Sequence, residues 1–450
     1  MTLSVVRRLA FLSVLSVPAF AASSNEIATF HRDIAPILQR HCQGCHRPGE
    51  IGPMSLLTYN DVRPWAKAIR SAVVQRKMPP WLSDPRYGKF ANDRSLDESE
   101  IRKLETWAGN GAREGDPREA PPPRTFPAGW SIGTPDFVLE MPKEFQIPAN
   151  GDLMYQYIVF PTGLTEDKWV EKIEIRPGNR SVVHHAIASV ISPDSKYATR
   201  VKLGEFLDPV EFSERHVSVE GREPKQFSTA SDTSEALQIY LPGGDPVVMA
   251  PGQAKLIKAG SLLKFQLHYT TTGKAESDRT RIGFIFAKQP PAERISTVTV
   301  QNFAFSIPPM VDNYKIRAQA ILRRDVRVIS YTPHMHLRGK SFEYRAYYPT
   351  GESEVLLRIP RWDFNWQITY VLAPPKLLPK GTRLETVGYF DNSPNNPFNP
   401  NPKTEVFYGE QTTNEMAGVI MDLAIEAGGS VSAIFDSVPK STGTGPRASR

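Results

Sequence analysis

The chain has 450 residues and a formal net charge of +6, from 54 basic and 48 acidic side chains. This length is too great for one compact domain and predicts roughly three. The small excess of positive charge argues against nucleic acid or an anionic membrane surface as a partner. The 40 prolines and 30 glycines favour short strands joined by turns over long helices.

The N-terminus has the pattern of a secretory signal peptide. Arg7 and Arg8 form a positive region, and Leu9 to Phe20 form an apolar stretch that is too short to span a bilayer. Ala19-Phe20-Ala21 fits an A-x-A cleavage site, and a buried N-terminal helix is the alternative. We expect residues 1–21 to be a signal peptide, the protein to be periplasmic or secreted, and the mature chain to lack a transmembrane segment.

Both cysteines of the chain lie in one short motif, Cys-Gln-Gly-Cys-His, at Cys42, Cys45 and His46. The C-x-x-C-H pattern is typical of a covalently attached haem c, in which the thiols bind the porphyrin and the histidine binds iron. A zinc site would need two more ligands, and a redox-active cysteine pair would not need His46. The motif therefore predicts one haem c.

Helical patterns flank this motif on both sides. Before it, apolar residues recur at helical spacing, namely Ile27, Phe30, Ile34, Ile37 and Leu38. After it, the capping-box pattern Ser95-Leu96-Asp97-Glu98 opens a helix with Ile101, Leu104 and Trp107 on one face. Residues 22–116 resemble the class I c-type cytochromes, which implies a small all-α domain.

The sixth iron ligand is expected to be a methionine or a second histidine. Met78 follows a predicted helix from about Asp61 to Arg76, and the two prolines after it stiffen the loop. Met54 is the alternative, whereas His31 and His41 are interpreted as surface histidines. Methionine ligation raises the haem potential, which suits an electron carrier.

The sequence pattern changes from helical to strand-like after a proline-rich linker at residues 117–128. Short alternating or β-branched runs follow, separated by Gly, Pro and Asn. They are Tyr155 to Phe160, Val182 to Ile191, Leu262 to Thr270, Arg281 to Phe286, Val326 to Ser330, Phe342 to Tyr348 and Arg383 to Tyr389. We predict two all-β, jelly-roll-like sandwich domains at residues 129–297 and 298–438, and a disordered tail at 439–450.

Histidines in this β-rich part form patterns that suit metal binding. His334 and His336 would face the same side of a strand from Arg327 to His336, at a spacing that can chelate one ion. His184 and His185 are adjacent, so they can share a metal only where the strand ends, twists or bulges. His268 alone would be interpreted as a packed histidine, and Met416 alone as a core residue.

Their order along the chain is His-His, then His, then His-x-His, then Met. In this order the segment from about Trp130 to Ser437 resembles the copper type II ascorbate-dependent monooxygenases, the family of peptidylglycine α-hydroxylating and dopamine β-monooxygenases. The resemblance implies two copper ions. It implies an electron-transfer copper on His184, His185 and His268, and an oxygen-activating copper on His334, His336 and Met416.

Two departures from that family are visible in the sequence. Its animal members carry disulfides, for which this chain has no cysteine to spare. Where the peptide-hydroxylating members have a substrate-anchoring arginine two residues before His-x-His, this chain has Thr332, which argues against a peptide C-terminus as substrate. Arg338 lies close by, but after the pair, and is not assigned that role.

The resemblance and the haem motif together predict an exported monooxygenase that acts on paired donors and inserts one oxygen atom of O2 into a C–H bond of a small organic substrate. The haem would deliver electrons to the copper centres, from an ascorbate-like donor or a periplasmic redox protein. The alternatives are an electron-transfer or copper-binding protein without oxygenase activity, and a haem-copper reductase.

A few further residues have roles suggested by their position or residue type. Tyr408, Glu410 and Gln411 are expected to shape the oxygen site, and the Asn/Pro-rich residues 391–402 to form an exposed loop near it. Trp362 and Trp366 are interpreted as core residues, and His216 as a surface residue.

Overall fold

The computed structural model describes residues 27–207 and 233–436. The predicted signal peptide, His216 and the predicted tail lie outside these ranges. The described chain is mostly β-sheet with few helices, as predicted, and is consistent with β-sandwich domains. None of the helices in the described ranges combines the length and the apolar character needed to cross a bilayer.

Residues 27–119, called the N-terminal region below, contain the helices of the described chain. These are a π-helical turn (Phe30–Ile34), α1 (Ala35–His41), α2 (Tyr59–Val62), a 3-10 turn (Arg63–Trp65), α3 (Ala66–Val74), α4 (Glu98–Gly109) and a 3-10 turn (Pro117–Glu119). Their apolar faces form one buried core that includes Phe30, Leu38 and Leu104. The predicted helical periodicities before and after the cysteine motif therefore correspond to helices that pack on each other.

Three details of this region differ from the sequence predictions. The N-cap of α4 is Asp97 and not Ser95: the Asp97 side chain accepts from the backbone of Glu100, and the Glu100 side chain accepts from the backbone of Asp97. His31 and His41 are not surface histidines, since their side chains are 14% and 15% exposed. Each is tied to a carboxylate, with His31 Nε2 3.3 Å from Glu114 and His41 Nε2 3.3 Å from Glu100.

The first sandwich is built from strands within residues 137–286. They are β1 (Phe137–Glu140), β2 (Phe145–Ile147), β3 (Gln156–Pro161), β4 (Lys168–Arg176), β5 (Val183–Ile191), β6 (Phe206–Leu207), β7 (Ser234–Tyr240), β8 (Val247–Val248), β9 (Gln253–Ile257), β10 (Leu262–Tyr269), β11 (Glu276–Asp278) and β12 (Arg281–Phe286). One layer has the order β6-β3-β10-β5-β7, and the other includes β1-β12-β4-β9. Residues such as Phe265 and Ile173 fill the core between the layers.

The second sandwich is built from strands within residues 293–436. They are β13 (Glu293–Gln301), β14 (Ser306–Ile307), β15 (Tyr314–Leu322), β16 (Val326–His334), β17 (Gly339–Tyr347), β18 (Ser353–Ile359), β19 (Tyr370–Leu378), β20 (Arg383–Phe390), β21 (Val406–Phe407), β22 (Gly418–Glu426) and β23 (Phe435–Asp436). One layer has the order β13-β22-β16-β19, and the other β18-β17-β20-β15-β23. Val298, Tyr344 and Leu423 belong to the core between them.

The two sandwiches share one continuous sheet. β13 pairs in parallel with β9 of the first sandwich and antiparallel with β22 of the second. The domain boundary predicted between residues 297 and 298 therefore falls inside a strand. A shared strand fixes the two sandwiches relative to each other more firmly than a flexible linker would.

The N-terminal region covers the β19 edge of the shared sheet. The backbone N–H of Ala91 donates to Val371 at 2.8 Å, and that of Ala373 donates to Lys89 at 2.9 Å. The Trp81 ring packs edge-on against Tyr370, with centroids 4.8 Å apart. These contacts protect an otherwise open strand edge and hold the N-terminal region against the second sandwich.

Candidate metal centres

The adjacent histidines His184 and His185 lie at an irregularity in the pairing of β5 with β10. His185 is the cross-strand partner of His268, but the next pair is Val183 with Tyr269. His184 is therefore an extra residue, a β-bulge, and the bulge brings its ring to the same side as the other two. The ligand atoms of the three histidines all lie within 4.8 Å of one another.

The protonation state of the three imidazole rings suits metal binding. Burial lowers the pKa of all three imidazoles, with His268 lowered to about 3 and His185 lowered well below its ordinary value. The rings are therefore neutral at physiological pH, which is the form that binds metals. The Nδ1 atoms of His184 and His268 are buried and have no hydrogen-bond partner among the described residues. Unpaired buried nitrogens of this kind fit a bound ion, and three imidazoles suit copper or zinc.

Polar and aromatic residues outside the ligand set hold these rings. The side chain of Gln266 hydrogen-bonds His185. The ring of Tyr155 packs edge-on against His185 and His268, with centroids 5.2 and 4.8 Å away. Ligand orientation by such surrounding groups is a general feature of metal sites.

A hydrogen-bond chain continues from Gln266 toward the segment that carries Met416. Gln266 Nε2 donates to the Tyr157 hydroxyl at 2.6 Å, and that hydroxyl donates to a Glu410 carboxylate oxygen at 2.5 Å. Glu410 is one of the residues that the sequence predicts to shape the oxygen site. Its contact with Tyr157 joins its loop to the first sandwich.

His334 and His336 lie where β16 ends. The strand stops at His334, two residues earlier than predicted, and His336 follows it. Their ring centroids are 5.1 Å apart. His334 Nδ1 contacts Gln367 Oε1, and His336 Nδ1 lies 3.2 Å from the Asn414 carbonyl oxygen. These contacts occupy the Nδ1 atoms and leave the Nε2 atoms for a metal.

The second pair is also neutral, with His336 buried and His334 half-buried. Burial lowers the pKa of His334, and it lowers that of His336 to about 3. The Nε2 atom of His336 is buried and has no hydrogen-bond partner among the described residues. The chemistry of this pair therefore fits a copper ligand set.

Glu415 ties the segment before Met416 to the His-x-His segment. Its side chain is fully buried and accepts from the backbone N–H of His336 at 2.8 Å and of Arg338 at 2.6 Å. Burial raises the pKa of Glu415 to about 8, although these hydrogen bonds oppose the rise. Half-buried Met416 directly follows this anchor.

Arg338 serves the same local structure. It is 1% exposed, and its guanidinium donates to Asn392 Oδ1 at 3.0 Å and to the Thr413 carbonyl at 2.9 Å. Asn392 and Ser393 are themselves buried, so the expectation of an exposed loop at residues 391–402 is wrong for its first residues. Asn392 is buried because its side-chain oxygen accepts a hydrogen bond that the buried Arg338 would otherwise lack.

Both histidine sets contact one aromatic ring, that of Phe364. Phe364 stacks on His184 with centroids 6.0 Å apart, and it packs edge-on against His336 at 6.2 Å. The rings of His184 and His336 are therefore no more than about 12 Å apart. Sequence reasoning missed Phe364, Gln266, Gln367 and Glu415, none of which belongs to a recognisable motif.

The cysteine motif forms one tight turn after α1. The backbone N–H groups of Cys45 and His46 both donate to the Cys42 carbonyl, at 3.1 and 3.0 Å. Any side chain at Gly52 would collide with the His46 ring, since its Cβ would lie 2.6 Å from Nδ1. Two free thiols and an imidazole on one turn fit covalent haem attachment.

The two candidates for the sixth iron ligand differ in their surroundings. Met54 packs against the core of the N-terminal region, as Cys42 does. Met78 is half-buried after α3, and its backbone N–H donates to Ala72 at 3.3 Å. Met78 as the ligand stays a prediction, with Met54 as its alternative.

The cysteine motif faces the first sandwich. The Cys45 thiol lies beside Gly243, in the loop after β7, and Arg94 donates to the Gly243 carbonyl. Glu50 contacts Arg180, which lies four residues before His184. The motif and the three-histidine cluster are thus joined through short stretches of one sandwich.

Comparisons with known proteins add little to this geometry. No family model matches the chain, and no curated protein matches it. Among solved structures, a structure of infectious bursal disease virus, Gx strain, is 8% identical over 69% of this chain and 77% of its own, with a TM-score of 0.19. A structure of PNGF-II is 10% identical over 63% of this chain and 59% of its own, also with a TM-score of 0.19. Likenesses this low carry no argument about function.

Proposed function

We propose that the chain is a copper- and haem-dependent monooxygenase that inserts one oxygen atom of O2 into a C–H bond of a small organic substrate. The observation that carries this proposal is the pair of neutral, partly or fully buried histidine sets that both contact the ring of Phe364. One set belongs to each sandwich. Among the described residues the first set has two unpaired buried nitrogens, on His184 and His268, and the second has one, on His336. Two metal centres that both contact one ring suit a reaction that needs two electrons delivered singly.

In this proposal His184, His185 and His268 hold an electron-transfer copper, and His334, His336 and Met416 hold a second copper. Copper in such ligand sets supplies the oxidising power for oxygen insertion. A thioether ligand at Met416 favours the reduced ion, which is the form that reacts with O2. The protein keeps the imidazoles neutral, orients them through Gln266 and Gln367, and anchors the His336 turn through Glu415.

The N-terminal region is proposed to be a c-type cytochrome domain. Cys42 and Cys45 would attach the haem, His46 would bind its iron, and Met78 would complete the coordination, with Met54 as the alternative. Its supporting observation is the docking of the motif turn on the first sandwich, at Gly243 and Arg180. A haem held there would pass electrons to the three-histidine copper, from an ascorbate-like donor or a periplasmic redox protein.

The proposal includes export, because covalent haem attachment and the N-terminal signal pattern both belong to a periplasmic or secreted protein. Metal analysis and electron paramagnetic resonance on the full-length protein matured with its haem test the cofactor content. The expected result is one iron and two inequivalent coppers per chain. A protein that binds haem but takes up no copper at either histidine set would overturn the proposal.

A second experiment separates an oxygenase from an electron-transfer or copper-binding protein. Met416→Ile removes the thioether, and Met154→Ile is the matched control, since Met154 is 49% exposed. An oxygenase loses O2-dependent product in a substrate screen and keeps the copper on the three histidines. If the protein is a copper carrier, both variants keep the electron-transfer rate of the wild type. No oxygenated product then forms with the wild type or with either variant.

A further inference from the structure

A cavity of about 430 Å³ lies where the N-terminal region meets both sandwiches. Its walls include Trp81 from the N-terminal region, Leu237 from the first sandwich, and Ile368 and Ile420 from the second. Trp366, interpreted from the sequence as a core residue, is half-buried and lines this cavity instead. Concave, largely apolar sites between domains are where small molecules commonly bind.

One wall of the cavity belongs to the strand that carries His334. Ser330 and Thr332 line it, and alternation along β16 puts them on the same face as His334. Gln367 also lines the cavity and contacts His334 Nδ1. An occupant would therefore lie one side chain away from a candidate metal ligand.

The charged groups around the cavity are already paired. Arg94 donates to Asp245 at 2.8 Å, and Asp245 is 69% exposed, which puts this pair at the opening. Deeper in, Asp422 accepts from buried Lys255 at 3.0 Å and from Ser330 at 3.2 Å. A charged occupant would lose its hydration without gaining an unpaired counter-charge, which is costly.

The wall nearest His334 offers neutral hydrogen bonds. The hydroxyls of Thr332 and Thr369 lie 2.9 Å apart and bond each other. Each hydroxyl keeps a further acceptor position, and one of the two can turn its proton toward an occupant. The site thus suits one hydroxyl or carbonyl group on an otherwise apolar molecule.

We propose that this cavity is the substrate site and that it takes an uncharged, mainly apolar small molecule with a single neutral polar group directed at Thr332 and Thr369. The inference rests on the proposed monooxygenase function. It goes further in naming the substrate class and in excluding carboxylates and amines.

Three probes of matched size test the charge selectivity, namely benzyl alcohol, benzoate and benzylammonium. Their binding to the full-length protein matured with its haem is measured by calorimetry and by ligand-observed nuclear magnetic resonance. Benzyl alcohol is expected to bind at least about 10-fold more tightly than either ion, because neither ion finds a counter-charge. Equal affinity for the three probes would overturn the proposal.

Two substitutions test the position of the site. Ile420→Phe adds a ring inside the cavity and is expected to weaken benzyl alcohol at least about 10-fold by steric exclusion. Leu377→Phe is the matched control and should leave binding unchanged, since Leu377 is 62% exposed on the same sheet. Benzyl alcohol binding that survives Ile420→Phe in a folded protein would place the ligand elsewhere.

A milder variant keeps the test decisive if Ile420→Phe fails to fold. Thr332→Val preserves the shape and removes the hydroxyl, so benzyl alcohol should bind about 5-fold more weakly while toluene is unaffected. Copper content is measured on the same preparations. If the protein binds benzyl alcohol selectively but takes up no copper, the cavity is a binding site and the proposed monooxygenase function is overturned. If it takes up two coppers but does not bind benzyl alcohol, only the proposed substrate site is overturned.

Discussion

The imidazole of His184 stacks on the phenyl ring of Phe364, with centroids 6.0 Å apart and planes inclined by 15°. The same phenyl ring meets His336 edge-on. One side chain from the connection between β18 and β19 therefore contacts both candidate metal sets, although it belongs to neither. A substitution at Phe364 therefore tests how far each candidate metal set depends on this shared contact.

Replacing Phe364 with alanine should weaken copper binding at the three-histidine set by about 10-fold, as loss of a group that orients a metal ligand typically does. The reason is that the bulge residue His184 loses the surface that holds its ring. Competitive chelator titration, followed by the resonance signal of each copper, measures the change. Phe398→Ala is the matched control, because Phe398 is 59% exposed. Unchanged affinity in Phe364→Ala would show that the bulge alone orients His184.

Glu415→Gln should disturb the second centre and spare the first. A glutamine amide offers one acceptor oxygen where the carboxyl group of Glu415 uses two, so its NH2 group would face the N–H of His336 or Arg338. Leaving a buried donor unpaired costs about 1–3 kcal/mol of unfolding free energy. Chemical denaturation and copper analysis should show this loss together with a fall from two coppers to one. Glu354→Gln, at a 46% exposed side chain, is the control, and a Glu415→Gln protein that retains both coppers would contradict the assigned role.

The strands were accessible from the sequence because period-two alternation and β-branched residues are local signals. The run predicted from Arg281 to Phe286 is β12 itself, and the run from Leu262 to Thr270 exceeds β10 by one residue. The histidine pattern was equally local. His184 could be marked only as conditional on a bulge, since the register that creates the bulge is set by pairing with a strand some eighty residues later.

The residues around the ligands could not be read in this way. Phe364 and Gln367 lie in an aperiodic connection, and their contacts depend on how two sandwiches meet. Glutamate side chains are rarely fully buried, so from the sequence Glu415 would be predicted to lie on the surface. The N-cap of α4 shows the limit of local motifs, because Ser95 and Asp97 both fit a cap and only Asp97 immediately precedes the helix.

The stability of the N-terminal region, where it meets the second sandwich, should depend on pH through Asp84. Its backbone N–H donates to Arg358, and hydrogen bonds from Arg86 lower the pKa of its carboxyl to about 2, below the ordinary 3.8. A lowered native pKa contributes stability that is complete above the unfolded value and is lost as the pH falls toward the native value. The stability difference between wild type and Asp84→Asn should therefore be constant above about pH 5 and shrink between about pH 4 and pH 2. Thermal unfolding across this range measures it, with exposed Asp152→Asn as control, and a difference that grows on acidification would reverse the assigned sign.

Glu50 joins the cysteine motif to the first sandwich. Its carboxylate contacts Arg180 and accepts from Arg47 at 2.8 Å, and its side chain is only 12% exposed. Glu50→Gln keeps the size and removes the charge, so both arginines lose a charge-assisted bond worth about 1.5–3 kcal/mol each. The motif turn should then dock less firmly, and re-oxidation of the proposed haem after mixing the reduced protein with O2 should slow relative to wild type. Glu119→Gln, at an exposed site, controls for loss of an acidic charge. If haem re-oxidation in Glu50→Gln matches wild type while the unfolding free energy falls, the ion pair stabilises the docked turn without governing electron delivery.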